Sequence, residues 1–376
     1  MQSLPLDAVA APSAAPARAA GRLDAIDVAK AIGIVVVVAG HAPGAPAALL
    51  APIYSVHMPL FFFLSGCVLG AARAAEPWRR TVQRAARTLL VPYLFFFLLS
   101  FGYWMLTRHL GARAAKFAGI DAADAWVGFA TGLSADLFVN ITLWFLPCMF
   151  VCQLLHAAAR QVLGPRAVLL LAIGVAAVLL AFTQPWPTRW PWGLDIAWIA
   201  LPFYAAGHWL RVGAAWPGRT AHQASRRAPA TCVALALGIT LGAAWVWLAL
   251  VNAQGRVDLA HADFGPHPLL YLPCAAAGIT LVMMAAQHCP SNPVLRWLAG
   301  NTLVIFALHP LLINAASGAL QMSGREALPA EHATLWWLAS TAWGVVACVP
   351  IAALLRRHAR SVLGLQTAAA RQRGVA

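Results

Sequence analysis

Charge is what this chain has least of. Of its 376 residues only 10% are Asp, Glu, Lys or Arg, and 61% are hydrophobic. A water-soluble domain carries about 25% charged residues, so a soluble enzyme is excluded and a polytopic membrane protein is expected. Acidic residues are the scarcest, 12 against 26 basic ones, and they fall in loops or at the ends of apolar runs. Ion-coupled transport ordinarily uses carboxylates near the membrane midplane. Their scarcity there, and the lack of a repeated pair of broken spans, count against a transporter or flippase of a lipid-linked glycan, which stands as the alternative to an enzyme. The seven cysteines include no Cys-x-x-Cys pair, so neither a zinc ribbon nor a dithiol motif is supported and no metal is expected. Cys148 and Cys152 share a helix face as packing thiols. Residues 1–20 hold no apolar segment behind a basic start, which argues for an Ala- and Pro-rich disordered tail over a cleaved signal peptide. No repeat at a solenoid period is visible.

Long apolar runs, by contrast, are abundant. Ten windows of membrane-spanning length are centred in residues 26–42, 48–71, 88–107, 137–156, 166–183, 194–212, 231–251, 268–286, 299–318 and 335–355. Pro, Gly and charge mark the connections, and Trp residues near the ends of runs fit an interfacial belt. The expected fold is all-α: one transmembrane domain over residues 21–357, preceded by the tail 1–20 and followed by a basic cytoplasmic tail 358–376. Ten spans put both termini on one side. With the N-terminus in the cytoplasm, 20 of the 26 basic residues face that compartment, so the orientation reads N-in, C-in. The net charge of +14 is then a cytoplasmic-face charge. It suits anionic lipid headgroups or an anionic cytosolic substrate, and nucleic acid is not expected as a partner. A homo-oligomer is compatible with such a bundle.

Within the first run, Asp27-Val-Ala-Lys30 leads into an apolar stretch ending at His41. Eleven helical steps rotate about 1100°, which returns His41 to the face of Lys30 about 16 Å along the axis. Asp27 is one turn before Lys30 and positioned to pair with it. Either Lys30 snorkels to the headgroups and His41 caps the helix end, or a cation holds an anionic group while an imidazole does acid–base work. In the second run His57 precedes Pro59, which bends a helix by freeing a carbonyl, and Ser65-Gly66 is a small patch that admits a second helix or an acyl chain. Arg80, Arg84 and Arg87 follow at i, i+4 and i+7, on one helical face; they supply a positive-inside signal or an anion cradle of guanidinium forks. The fourth run carries Leu143-Trp144-Phe145-Leu146-Pro147, the sixth carries His208, and the ninth carries His309-Pro310. Each buried imidazole alone is most often structural. Imidazoles in spans one, two and nine together suggest a polar chamber inside the bundle.

In these motifs the chain resembles the acyltransferase-3 family of integral-membrane acyltransferases, and more narrowly its fucose-4-O-acetylase-like branch. A basic residue, ten residues, then His is met by Lys30 and His41. The Phe-Phe-x-Leu-Ser-Gly element is met through Gly66, preceded by His57-Met-Pro-Leu-Phe-Phe62. Arg84-x-x-Arg87, Leu143 to Leu146, and Asn301-Thr through His309 follow in the same order. The resemblance implies transfer of an acyl group, usually acetyl, from cytosolic acetyl-CoA or another acyl-CoA to a glycan or glycoside hydroxyl on the outer side of a bacterial inner membrane. It implies His41 as base, beside His57 and with Asp27 orienting Lys30. Lys30 with Arg80, Arg84 and Arg87 would hold the CoA phosphates, and Ser65, Trp144 and His309 would line the substrate path. Lys30 departs from the Arg found at that position in many relatives, and a point charge lacks the guanidinium fork. The outer loops 108–136 and 252–267 hold Asp121, Asp124, Asp136, Asp258 and Asp263. These carboxylates are either ligands for sugar hydroxyls or solvated loop charges, and the plainer reading is the second.

Overall fold

A computed structural model of the chain describes residues 14–182, 188–212, 228–252, 257–325 and 331–364. Residues 1–13 and 365–376 of the two expected tails lie outside the described residues, as do the loop residues Arg219, Arg226, Arg227 and Arg256.

The helices run α1 Ala14–His41, α2 Ala47–Cys67, α3 Ala71–Ala74, α4 Trp78–Ala85, α5 Val91–Thr107, α6 Ala112–Lys116, α7 Ala122–Thr131, α8 Phe145–Arg160, α9 Pro165–Phe182, α10 Leu194–Val212, α11 Ala228–Asn252, α12 Tyr271–His288, α13 Pro293–Gly300, α14 Thr302–Met322, α15 Ala333–Val346 and α16 Cys348–His358. No strand occurs among the described residues; a lone bridge pairs Asp258 with Asp263. The protein is an all-α polytopic membrane bundle. Each of the ten apolar windows has its centre on a helix. Seven helical stretches among the described residues are long and apolar enough to cross a membrane. The windows on α1, α10 and α11 are not among them. In α1 and α10 ionisable groups dilute the apolar character: Asp24, Asp27 and Lys30 in the first, Asp195, His208 and Arg211 in the second.

Helix α1 begins at Ala14, within the stretch read as a tail, and becomes the centre of the bundle. It packs against α2, α12, α13, α14 and α15. Its Val- and Ile-rich run is a poor helix former in water. In a membrane the backbone must satisfy its own hydrogen bonds, which leaves the helix as the available form. A helix apolar all round belongs inside, and Ala29, Ala31, Ile34, Val37 and Val38 are fully buried. The last carbonyls of α1 have no intrahelical donor. Trp337 Nε1 donates to Ala39 O at 2.8 Å and Tyr54 OH to Gly40 O at 3.3 Å, which fixes this end against α15 and α2.

Helix α2 crosses α10 in close contact, as the small Ser65-Gly66 patch predicts. A Cβ at Gly66 would lie 2.0 Å from Tyr204 O, and one at Gly207 would lie 2.1 Å from Phe63 O. Only glycine lets the two backbones meet there.

Two departures from regular helix shape the site. Between α4 and α5, residues Ala86–Leu90 form a π-turn in which Val91 N–H donates to Ala86 O, five residues back. In α14, Pro310 has no N–H for the Phe306 carbonyl. Thr142 Oγ1 lies 3.2 Å from that carbonyl and 2.8 Å from Asn140 Oδ1, sharing its one proton between them, and Asn140 Nδ2 donates to the next carbonyl, Ala307 O, at 2.8 Å. The segment before α8 is thereby clamped to α14 beside Pro310.

Candidate active site

The last turn of α1, the middle of α2 and the middle of α14 bring His41, His57 and His309 together. The His41 ring lies 5.2 Å from His309 and 6.0 Å from His57, centroid to centroid. Tyr54, one turn before His57, stands 4.8 Å from it and 5.9 Å from His41. Each Nδ1 faces the carbonyl four residues back: His41 to Val37 at 2.8 Å, His57 to Ile53 at 2.9 Å and His309 to Ile305 at 2.9 Å. A carbonyl only accepts, so each Nδ1 carries the proton and each Nε2 keeps the lone pair in the neutral ring. Exposed His288 makes the same bond to Met284 O, so the bond is local helix geometry. What distinguishes the trio is convergence. His309 is fully buried and its Nε2 has no partner among the described residues.

His41 and His57 line a cavity of about 210 Å³ together with Tyr54, Thr142, Trp144, Asp258 and His261. Phe306 forms its floor and also lines a second cavity, of about 320 Å³, with Lys30, Ser65, Thr88 and Phe145. Phe145 and Phe306 meet at 5.4 Å, and Phe62 packs on Phe145 at 5.1 Å. Lys30 and His41 thus occupy two cavities along one helix with an aromatic partition between them. Lys30 Nζ is 3.5 Å from Asp27 Oδ1, as the spacing predicts, and stays partly exposed. Asp27 belongs to this end and is not part of the imidazole cluster. Ser65 receives a hydrogen bond from Gln153 at 3.5 Å.

The arginines do not converge on Lys30. Arg80 and Arg87 are exposed. Arg84 turns into a third cavity, of about 300 Å³, where it pairs with Glu76 at 3.1 Å beside Arg73, Arg160 and His156. The face predicted from i, i+4, i+7 spacing assumes a regular helix, and the π-turn after Ala85 breaks that phase: Arg84 faces the third cavity while Thr88 faces the second. Beside the third cavity His156 and His208 form a buried edge-to-face pair at 4.8 Å.

Sequence reasoning missed Tyr54, the Asn140–Thr142 clamp, the Phe306 partition and the Asp258–His261 pair. Tyr54 was detectable at i−3 from His57, and Pro310 announced that the Phe306 carbonyl would need a donor. Asp258 is 7% exposed, so it is not the solvated loop charge expected. The loop tip beside it is held by Ser134 and Arg189, which both donate to Ala260 O and which no local pattern ties to it.

The model of the acyltransferase-3 family, described as an acyltransferase domain, matches residues 23–353. No match is found among curated proteins or solved structures. The matched region begins within the central helix, runs past the His309 helix and covers all three imidazoles, Lys30 and the partition. The chain belongs to the acyltransferase-3 family of membrane acyltransferases.

Proposed function

We propose that this protein is a membrane O-acetyltransferase of the fucose-4-O-acetylase-like branch, resident in a bacterial cytoplasmic membrane with both termini inside. It moves an acyl group from cytosolic acetyl-CoA to a glycan or glycoside hydroxyl on the outer side. The observation that carries this reading is the pair of cavities along α1, one lined by Lys30 and the other by His41 and His57, with Phe306 in the wall of both.

In the reaction His41 Nε2 takes the proton of the acceptor hydroxyl as its oxygen attacks the thioester carbonyl. The C–S bond breaks, and the proton passes to the departing CoA thiolate. The direction of the Nδ1 bond, from imidazole to Val37 O, leaves the basic lone pair of the neutral ring on Nε2. His57 and Tyr54 at ring-contact distance stabilise the imidazolium that forms. At the other end Lys30, steered by Asp27, holds an anionic group of the donor while only the thin pantetheine arm enters the bundle. The roughly 16 Å rise between the two levels matches an arm of that kind. Arg84 contributes from the adjoining cavity, and Arg80 and Arg87 add to the basic rim that attracts the donor.

The test is acetyl transfer from labelled acetyl-CoA to glycosides by purified protein in vesicles. His41→Ala should abolish transfer in a protein that keeps its thermal unfolding temperature. Normal transfer by that variant would remove His41 from the chemistry. Absence of acyl transfer by the unaltered protein, with movement of glycan lipid across the vesicle wall instead, would favour the flippase alternative.

A further inference from the structure

We infer that Asp258 and His261, on the loop between α11 and α12, form the acceptor-side half of the site and select an acceptor with a second hydroxyl beside the one acylated. This rests on the acyl-transfer reading above and deepens it.

The pair is firmly constructed. Asp258 Oδ1 accepts from Ala260 N at 3.0 Å, and Oδ2 faces His261 Nδ1 at 3.0 Å. The loop closes on itself through Asp258 N to Asp263 O at 2.7 Å and Asp263 N to Asp258 O at 3.0 Å. Ala262 takes a left-handed φ of 57° to make that closure, and a Cβ at Gly265 would stand 2.0 Å from Asn252 O. Two distant side chains hold the tip: Ser134 Oγ donates to Ala260 O at 2.6 Å and Arg189 to the same oxygen at 3.2 Å. Arg189 is itself paired with the buried Asp195. The position of His261 is therefore set by chain segments far from it in sequence.

His261 lines the cavity of His41 and His57, and its side chain remains 39% exposed. With Nδ1 directed at a carboxylate, Nε2 is the nitrogen left to accept a hydrogen bond. The cavity thus brings an imidazole of the loop, His261, into the same space as His41 of α1. A monohydric alcohol meets only one of the two. A diol of the kind found around a sugar ring reaches both, and its bond to His261 Nε2 fixes which hydroxyl meets His41. His261 is on this account an acceptor-binding residue, and Asp258 a positioning residue that acts through it.

The experiment measures acetyl transfer from acetyl-CoA to methyl glycosides, their monodeoxy analogues and a monohydric alcohol, by the unaltered protein and by His261→Gln and Asp258→Asn. Asp258→Asn keeps an oxygen for Ala260 N and so preserves the loop. His261→Gln should raise the glycoside KM about tenfold with kcat changed by no more than about threefold; Asp258→Asn should move KM the same way by less. One monodeoxy glycoside should show the raised KM in the unaltered protein and no further loss in His261→Gln. An unchanged KM in His261→Gln overturns the inference, as does equal loss with the deoxy analogue in both proteins or equal transfer to glycoside and monohydric alcohol. Those outcomes leave the acyl-transfer reading standing. That reading fails separately, if the unaltered protein transfers acetyl to no hydroxyl or if His41→Ala is fully active.

Discussion

The two cavities strung along α1 differ in what lines them. Around Lys30 the wall is Phe61, Leu64, Leu89, Met149 and Leu303, relieved by Ser65, Thr88 and Thr302. Around His41 it carries two further imidazoles, a phenol, a carboxylate and a threonine hydroxyl. One charge in an apolar cavity is suited to holding one end of a thin chain and to little else. Several groups able to give or take a proton, packed within ring contact of one another, are equipped for chemistry. The same helix serves both because a largely apolar stretch can pack most of its middle into the bundle and still present one polar residue near each end.

His41→Ala tests this division most severely. It should lower kcat about 10²- to 10⁴-fold, the range for a general base, with the acetyl-CoA KM unchanged in initial-rate measurements. Lys30→Ala should do the reverse, raising the acetyl-CoA KM about ten- to a hundredfold while kcat at saturation holds, and Lys30→Arg should recover most of the loss. If both substitutions depress the same kinetic parameter, the two ends are one site and the division disappears. Phe306→Ala removes the shared wall. It should raise acetyl-CoA hydrolysis without acceptor roughly severalfold, because the partition excludes water from the thioester; release of free CoA thiol reports it. Thr142→Val strips the hydroxyl from the Phe306 carbonyl and should cost about 1–3 kcal/mol in stability, read as a lower unfolding temperature with little change in either KM.

Much of this was legible in the sequence, for reasons that differ by residue. Lys30 and His41 lie on one uninterrupted helix, where spacing alone dictates the shared face. His57 and His309 stand out because an imidazole in an apolar run must find company, and both found His41. The arginine stripe was misplaced because a local π-turn changed the phase between Arg84 and Arg87. Nothing in composition marks such a turn. The Asp258–His261 pair has no such local sign: loop carboxylates are usually solvated, and the loop tip beside this one is held through Ala260 O by Ser134 and Arg189, residues distant in the chain.

The unbroken rod of α1 is also a ruler with a phase. One residue inserted between Lys30 and His41 would lengthen it by only about 1.5 Å, yet would swing the imidazole about 100° away from its partners. Four inserted residues would return it to within about 40° of the original face but add about 6 Å, more than a full ring-contact distance. Substitutions along the rod are tolerable wherever the side chain still packs, whereas a change in its residue count is not. The interval between the lysine and the histidine is therefore under tighter constraint than the identity of any residue within it.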